Sequence, residues 1–299
     1  MPKLIEKGYD IYGLERYVTG RHGIEQKEKV KTVFCDLREA FSVEETIREV
    51  QPDIVIHLAS LSSVTYSYSH PQEVMETNLI GTINIAEACL REAPNLKQFL
   101  HASTCVVYGN GPNPKNEETV QKPNSPYSAS KLASEEYLLY LLEAYNFPVT
   151  ILRNFNTYGR KKNSHFVVER TIAQMLRNET VNLGDPDPIR DLLFVADHVN
   201  SYLTCIENAK AVGEVFNFCT GRGTSIKQLA DLVARLTNFK GEVHWNTIPA
   251  RPADTKKTVG SYNKAKRMLD WSPRFTLDEG LKRTIEFWKN NNIVLNEMP

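Results

Sequence analysis

The chain has 299 residues, of which 41% are hydrophobic, so it is long enough to bury a sizeable core. Its 36 basic and 36 acidic residues cancel, which leaves no overall field to hold a nucleic acid or a membrane surface. The five cysteines are scattered without any Cys-x-x-Cys, and no apolar run approaches the ~20 residues of a membrane span. These features predict a globular cytoplasmic protein that binds neither nucleic acid nor membrane.

Short apolar runs alternate with amphipathic patterns through the first half of the chain. The predicted strands are 9–14, 32–35, 54–58, 98–102 and 148–152, and helices are predicted between most of them at 43–50, 72–93 and 127–145. Strands that alternate with helices pair in parallel through right-handed crossovers. The predicted fold class is therefore α/β, with a doubly wound parallel sheet of the Rossmann type.

From residue 156 the alternation loosens into loops rich in Gly, Asp, Asn and Pro. Helices are predicted at 165–178, 196–208, 225–237 and 278–290, and a strand near 214–218 is expected to rejoin the sheet. The chain is accordingly divided into a Rossmann-like domain at 1–155, to which 189–218 returns, and a smaller C-terminal α/β region at 156–299.

The start of the chain departs from this pattern. A Rossmann sheet opens with a strand and a glycine-rich turn whose main-chain amides receive a pyrophosphate. Residues 1–8 instead read as the second half of an amphipathic helix that stops at Gly8 and leads directly into a strand. The first strand and its glycine turn are therefore expected to be missing, which leaves the sheet N-terminally incomplete.

The most informative motif is Ser125-Pro-Tyr127-Ser-Ala-Ser-Lys131. Tyr127 and Lys131 stand four residues apart on a predicted helix, so they share one face. A nearby cation favours the ionised form of a phenol, which lets tyrosine act as a base at neutral pH. Tyr262 and Lys266 repeat the spacing without a preceding strand that ends in hydroxyl residues, and they are interpreted as a surface pair.

Several motifs together resemble the extended short-chain dehydrogenases/reductases, in the NAD-dependent nucleotide-sugar epimerase/dehydratase family. The motifs that carry this resemblance are His57-Leu-Ala59, Asn78-Leu-Ile-Gly-Thr82, Ser103-Thr104 with Val107-Tyr-Gly109, the Tyr127 motif, Arg153-Asn-Phe-Asn156, Arg190-Asp191 and Arg251-Pro-Ala-Asp254. The resemblance covers essentially the whole chain. It implies a dinucleotide-binding function for 1–155 and a mainly substrate-binding function for 156–299.

The resemblance assigns catalytic roles to Thr104, Tyr127 and Lys131. Tyr127 would remove a proton from a sugar hydroxyl, and Thr104 would hydrogen-bond the same oxygen. Lys131 would bind the nicotinamide ribose and support the acidity of Tyr127. A developing alkoxide needs both a base and a hydrogen-bond donor within reach, so the physical argument agrees.

The cofactor implied is NAD, with NADP less favoured. A carboxylate at Glu15, after the second strand of the family fold, can accept hydrogen bonds from ribose hydroxyls and repel a 2′-phosphate. Arg16 beside it weakens that preference, because a guanidinium can pair with the same phosphate. The full set of residues expected to bind the cofactor comprises Glu15, Arg16, Asp36, Leu37, Leu58, Ala59, Asn78, Tyr127 and Lys131.

The substrate implied is a nucleotide sugar, with UDP and GDP both left open. Arginine suits a diphosphate because its planar fork meets phosphate oxygens in pairs. The residues expected to bind substrate are Ser103, Asn156, Arg190, Arg251 and Asp254. Arg190 and Asp191 could equally form a structural pair. No metal site is predicted.

The reaction expected is epimerisation at C4. Relatives that dehydrate their sugars carry acidic residues just after the catalytic hydroxyl, whereas this chain has Cys105 and Val106 there. Neither side chain can supply the carboxylate that elimination of water requires. A 4,6-dehydratase or 4-keto reductase of the GDP-mannose type is the alternative, and a catalytically silent truncated or scaffold protein is another. The helices at 72–93 and 127–145 are expected to form a homodimer interface.

Overall fold

The computed structural model describes residues 1–16, 29–159, 164–177 and 180–290. The strands are β1 (Ile11–Glu15), β2 (Val30–Phe34), β3 (Ile54–His57), β4 (Gln98–Thr104), β5 (Val149–Asn154), β6 (Asn156–Tyr158), β7 (Thr180–Asn182), β8 (Ile189–Phe194), β9 (Val215–Phe218), β10 (Gly223–Ser225), β11 (Glu242–His244) and β12 (Lys257–Thr258).

The α-helices surround these strands. They are α1 (Pro2–Glu6), α2 (Ala40–Val50), α3 (Val64–Ser69), α4 (Pro71–Met75), α5 (Gly81–Glu92), α6 (Pro126–Tyr145), α7 (Val167–Arg177), α8 (Val195–Cys205), α9 (Ile226–Thr237), α10 (Asn263–Leu269) and α11 (Leu277–Asn290). None of the helices within the described ranges is long and apolar enough to span a membrane.

The main sheet has the order β3-β4-β5-β9, with every neighbouring pair parallel. All six residues of β5 are buried, as expected for a central strand covered by helices on both faces. The strand predicted near 214–218 is β9, which pairs with β5. The α/β fold class and the parallel pairing are therefore confirmed.

The two strands at the start of the chain do not join this sheet. β1 and β2 pair with each other in parallel as a separate two-stranded sheet. Helix α2 packs against α5, and Leu14 of β1 contacts the same apolar cluster as Val55 of β3. Within the described residues, the two sheets are therefore connected by packing of helices and side chains and not by hydrogen bonds between their strands.

Helix α6 begins where the sequence predicted. Ser125 is its N-cap, and its hydroxyl accepts a hydrogen bond from the Ser128 amide while Pro126 occupies the first turn. Such caps satisfy main-chain amides that would otherwise lack partners. Asn146 ends the helix in the left-handed conformation at φ 56°. The N-cap therefore places Tyr127 in the first turn of α6 and Lys131 in the next turn.

The region predicted as one helix at 72–93 is divided. A π-helical turn at Glu76–Ile80 separates α4 from α5. Insertions of this kind occur frequently at functional sites. The turn carries Asn78, whose fully buried side chain faces the loop after β3.

A second group of elements packs beside the main sheet. β8 pairs with β10, β12 and β6, and β7 pairs with β11. Helices α7, α9 and α11 enclose an apolar core around these strands that includes Ile172, Leu229 and Trp288. The strand β8, at the start of the 189–218 segment, therefore lies in this second group, and β9 lies in the main sheet. The domain division itself stays a prediction.

Tyr262 and Lys266 do not form the surface pair that the spacing suggested. Tyr262 is partly buried and caps α10, and its ring lies 6.0 Å from that of Trp271 in an edge-to-face arrangement. Its apolar ring is therefore used for packing.

Candidate functional site

The candidate site lies at the carboxyl ends of β4 and β5, where open parallel sheets bind ligands. Thr104 is the last residue of β4 and is in register with Asn154, the last residue of β5. The Thr104 hydroxyl oxygen accepts a 3.3 Å hydrogen bond from the Val106 amide. The hydroxyl hydrogen of Thr104 therefore stays available for donation to a ligand.

Tyr127 stands in the first turn of α6 and is 8% exposed. The pKa of Tyr202 in α8 is raised, mainly by burial. The charge of an ionised Tyr127 adds to this rise, so the two phenols lie near each other. The Tyr202 hydroxyl lies 3.3 Å from the side-chain nitrogen of Asn154. Tyr127, Tyr202, Asn154 and Thr104 are thus gathered at one edge of the sheet.

Lys131 is one helical turn below Tyr127 and is 1% exposed. Its ammonium donates a 2.8 Å hydrogen bond to the main-chain oxygen of Ala102 in β4. Burial lowers the pKa of Lys131 to about 8, and the nearby Glu135 carboxylate acts in the opposite direction. The ammonium still has two further N–H donors to offer. The structure thus brings the predicted base, hydroxyl and cation together.

Two buried histidines lie beneath this cation, and sequence reasoning gave them no role. His57 of β3 and His101 of β4 are in register, with ring centroids 5.5 Å apart. Desolvation and then the charge of Lys131 lower the pKa of both rings, so both are neutral. The His57 ring bonds the Thr82 hydroxyl at 2.9 Å. Lys131 is therefore the charged group of this cluster.

A buried ion pair adjoins the site. Glu135 is 0% exposed, and its carboxylate accepts hydrogen bonds from the Arg153 guanidinium of β5 at 2.6 and 2.9 Å. Arg153 also donates to the Tyr108 hydroxyl at 3.0 Å. Glu135 follows Lys131 by four residues, as Lys131 follows Tyr127. The same helical spacing therefore places Glu135 on the face of α6 that carries Tyr127 and Lys131.

The Ser103 hydroxyl donates to Glu135 and is buried beneath the sheet edge. Ser103 therefore has a structural partner in this structure, and its predicted contact with substrate stays a prediction. The Ser103 side chain thus points towards α6.

The ends of β1 and β2 carry the carboxylates predicted to bind adenosine. Glu15 is half-buried at the end of β1. Asp36 follows β2 and pairs with Arg38 at 2.6 Å, and this bond lowers the pKa of the Asp36 carboxyl. The charge of Arg16, which is exposed, reaches the same carboxylate. One predicted adenine contact is thus already engaged with an arginine.

Two of the apolar residues predicted to line the cofactor site lie in the open. Leu58 is 59% exposed, and Ala59 beside it is also exposed after β3. Leu37 is only 9% exposed and belongs to the core under α2 and α5. Leu37 therefore contributes to the core, and its predicted contact with the cofactor stays a prediction.

Asn78 does not line an open surface either. It is fully buried, accepts a 2.8 Å hydrogen bond from the Leu61 amide and donates to the Leu61 oxygen at 3.2 Å. Its nitrogen also lies 3.0 Å from the Ser130 hydroxyl oxygen. These bonds give Asn78 a structural role, and the cofactor contact predicted for it stays a prediction. Asn78 ties the loop after β3 to α6.

The arginines predicted to grip the substrate meet at one carboxylate. Asp254 Oδ1 accepts hydrogen bonds from Arg251 at 2.8 Å and from Arg190 at 3.3 Å. Arg190 is the more buried of the two, and desolvation lowers its pKa. Two cations against one anion leave net positive charge, as a diphosphate site requires. The Asn156 side chain donates to the Asp191 main-chain oxygen at 3.3 Å, which places it beside Arg190.

Arg190 and Asp191 are not a structural pair. The Asp191 carboxylate accepts hydrogen bonds from the amides of Thr220, Gly221 and Gly260 and from the Thr220 hydroxyl, at 2.6 to 3.2 Å. Successive residues of β8 point to opposite faces, so Asp191 faces these loops and Arg190 faces Asp254.

Cys105 and Val106 follow Thr104 in a single 3₁₀ turn. Cys105 is 2% exposed, and burial raises the pKa of its thiol to about 12. A neutral buried thiol and an apolar side chain provide no acid or base for removing water from a sugar. Within the described ranges no cluster of His, Cys, Asp or Glu has the arrangement of a metal site.

Comparison with known proteins identifies the family. Residues 1–284 match the family model described as GDP-mannose 4,6 dehydratase. The chain is 32% identical to a putative UDP-glucose 4-epimerase of Methanocaldococcus jannaschii over 296 residues, which cover 97% of this chain and 94% of that protein.

Two solved structures share the fold. The UDP-glucose 4-epimerase of Thermotoga maritima with UDP-glucose has a TM-score of 0.89 and 31% identity, covering 97% of this chain and 94% of that one. The UDP-glucose 4-epimerase of Thermus thermophilus in complex with NAD has a TM-score of 0.87 and 28% identity, covering 96% and 94% respectively. The chain therefore belongs to the enzyme family of NAD-dependent nucleotide-sugar epimerases and dehydratases.

Proposed function

We propose that the protein is an NAD-dependent epimerase that inverts C4 of a UDP- or GDP-hexose through a 4-keto sugar. The observation that carries the proposal is the buried Lys131 ammonium, one turn from Tyr127 and hydrogen-bonded to β4 just before Thr104. The similarity of this chain to proteins named UDP-glucose 4-epimerases supports UDP as the nucleotide.

The side chains present suit oxidation and reduction at one carbon. Tyr127 takes the proton from the C4 hydroxyl, and Thr104 donates a hydrogen bond to the same oxygen as negative charge develops. Lys131, one helical turn away on the same helix, would favour the ionised form of the phenol. When the ketone is reduced, the same residues act in reverse. Bound NAD supplies the hydride acceptor and then the hydride donor.

Several of the residues present suit the ribose groups of NAD. Lys131 is buried with two unused N–H donors, which suits the hydroxyl oxygens of a ribose. Exposed Leu58 and Ala59 offer apolar surface at the end of the neighbouring strand β3. Glu15 would accept from the adenosine ribose. Arg16 lies near the Asp36 carboxylate, which reduces its availability for a 2′-phosphate and supports NAD over NADP.

Dehydration fits the site less well. The charge of Asp191 reaches Cys105, yet this carboxylate already accepts four hydrogen bonds from protein groups. It is therefore poorly placed to move a proton to or from the sugar. A 4-keto reductase uses the same three catalytic residues as an epimerase and is the second candidate.

We also propose that the protein forms a homodimer through α5 and α6. Tyr140 and Tyr145, the last residue of α6, are 49% and 54% exposed, and Ile80 just before α5 is 43% exposed. Paired helices with aromatic side chains are typical of such interfaces. Sedimentation of the protein as a monomer at micromolar concentration would contradict this.

We further propose that the protein is cytoplasmic, because its five buried cysteines are free thiols, as is usual in a reducing compartment.

The proposed activity is tested by incubating the protein with NAD and UDP-glucose and following the sugar by proton NMR. Appearance of the C4 epimer supports the proposal. A 4-keto-6-deoxy product from UDP-glucose or GDP-mannose would replace it with dehydration. Calorimetry with NAD alone separates an active enzyme from a catalytically silent scaffold, because a scaffold need not bind NAD.

A further inference from the structure

The loop that carries Arg251 and Asp254 is held by hydrogen bonds from outside it. We refer to residues 251–255 as the arginine loop. The Tyr68 hydroxyl of α3 lies 2.7 Å from the Pro252 oxygen and 3.2 Å from the Asn124 oxygen. Tyr68 thus connects α3, the residue just before the α6 cap and the arginine loop.

Asn124 binds the same loop with its side chain. Its amide nitrogen donates to the Ala253 oxygen at 2.7 Å and to the Thr255 hydroxyl at 3.0 Å. Its main-chain amide donates separately to the Ser128 hydroxyl at 3.0 Å, within the cap of α6. One residue therefore spans the arginine loop and the start of the helix that carries Tyr127.

The arginine loop needs such support. Ala253 has φ at 51°, in the left-handed region that residues with a side chain rarely adopt. Conformations of this kind persist where surrounding contacts enforce them. The carbonyl groups of Pro252 and Ala253, on either side of that strained φ, are the ones that Tyr68 and Asn124 hold.

We infer that Tyr68 and Asn124 are positioning residues that clamp the arginine loop against the start of α6, and so set the affinity for the diphosphate end of the substrate. The inference rests on the proposed function. Asp254 accepts from Arg190 and Arg251 together, so displacement of the loop would pull Arg251 and Asp254 away from Arg190. The clamp therefore acts on substrate binding, whereas Tyr127 and Thr104 act on the reacting carbon.

Three variants test the clamp. Tyr68→Phe removes the hydroxyl that reaches the loop, and Asn124→Ala removes the side-chain donor but keeps the main-chain amide that caps α6. Tyr66→Phe is the matched control, because Tyr66 lies on the same helix and its hydroxyl bonds Glu73 instead. The wild type is titrated with UDP, GDP, UDP-glucose and GDP-mannose by calorimetry. Each variant is titrated with UDP and UDP-glucose, NAD binding is measured for all four proteins, and their kcat and KM are compared.

Tyr68→Phe is expected to weaken binding of UDP and UDP-glucose about three- to tenfold, and Asn124→Ala about tenfold or more, since each loses one or two hydrogen bonds. KM should rise by similar factors while kcat and NAD affinity change less than about twofold. Tyr66→Phe should match the wild type. If Asn124→Ala fails to fold, Tyr68→Phe carries the comparison.

Three results separate the possible failures. If the wild type binds UDP-glucose and Tyr68→Phe binds it equally well, the clamp is overturned and the proposed function stands. If kcat falls in Tyr68→Phe while KM is unchanged, the clamp is again overturned, because its effect would then be on chemistry. If the wild type binds neither UDP, GDP, UDP-glucose nor GDP-mannose, the proposed function fails and this inference fails with it.

Discussion

The ammonium of Lys131 donates its hydrogen bond to the main-chain oxygen of Ala102, 2.8 Å away, in an environment where the lysine is 1% exposed. A charged group is thus held out of water next to neutral His57 and His101. Keeping a cation there is unfavourable for folding but useful to a phenol that must ionise.

Tyr127→Phe should lower kcat by about 10²- to 10⁴-fold, since it removes the proposed base and keeps the ring. NAD affinity should change little, because the Lys131 donors remain. Calorimetry and turnover measured on the same preparation check this. Tyr262→Phe serves as the control from the second Tyr-x-x-x-Lys sequence, and it should retain full activity. Equal losses in the two variants would argue against Tyr127 as the base.

The alkaline side of the pH profile should report Lys131. The pKa of Lys131 in the folded protein is lowered to about 8, so the ammonium is present below that pH and is lost above it. The value of kcat/KM for the free enzyme should therefore fall as the pH rises through about 8. Lys131→Arg keeps its charge at high pH. A decline at the same pH in that variant would show that another group is responsible.

Lys131→Met should stabilise the fold while it abolishes activity. The folded pKa of about 8 lies below the usual 10.5, so folding disfavours the protonated form. That cost is fully present below pH 8, decreases as the pH rises from 8 to 10.5, and is absent above. Its upper limit is on the order of 3 kcal/mol, at ~1.36 kcal/mol per pKa unit. Urea unfolding at pH 7 and at pH 10 should show a larger gain at pH 7.

The Glu135–Arg153 pair should be costly to break from one side. Removing one partner leaves a buried charge alone, which typically costs ~3–5 kcal/mol. Glu135→Leu and Arg153→Met should therefore each lower the free energy of unfolding by roughly that amount. The double variant should lose less than either single variant. Urea unfolding of all four proteins checks this, and additive losses would show that the two charges do not stabilise each other.

The sequence by itself was enough to identify the local features of the site. The cap at Ser125 and Pro126, the helix after it and the four-residue step from Tyr127 to Lys131 follow from short-range rules, and the structure contains all of them. The alternation of strands and helices likewise predicted parallel pairing. These properties depend on neighbours a few residues apart, so the order of residues contains them.

Only the tertiary structure decided which partners the polar side chains around the site bind. Ser103 and Asn78 were predicted from the motifs to bind ligands, and their hydrogen-bond partners Glu135 and Leu61 lie 32 and 17 residues away in the sequence. Arg190 could pair with its neighbour Asp191 or with Asp254, and the alternation of β8 selected Asp254. A buried polar group takes the partner that long-range packing brings to it, and that choice is absent from any local pattern.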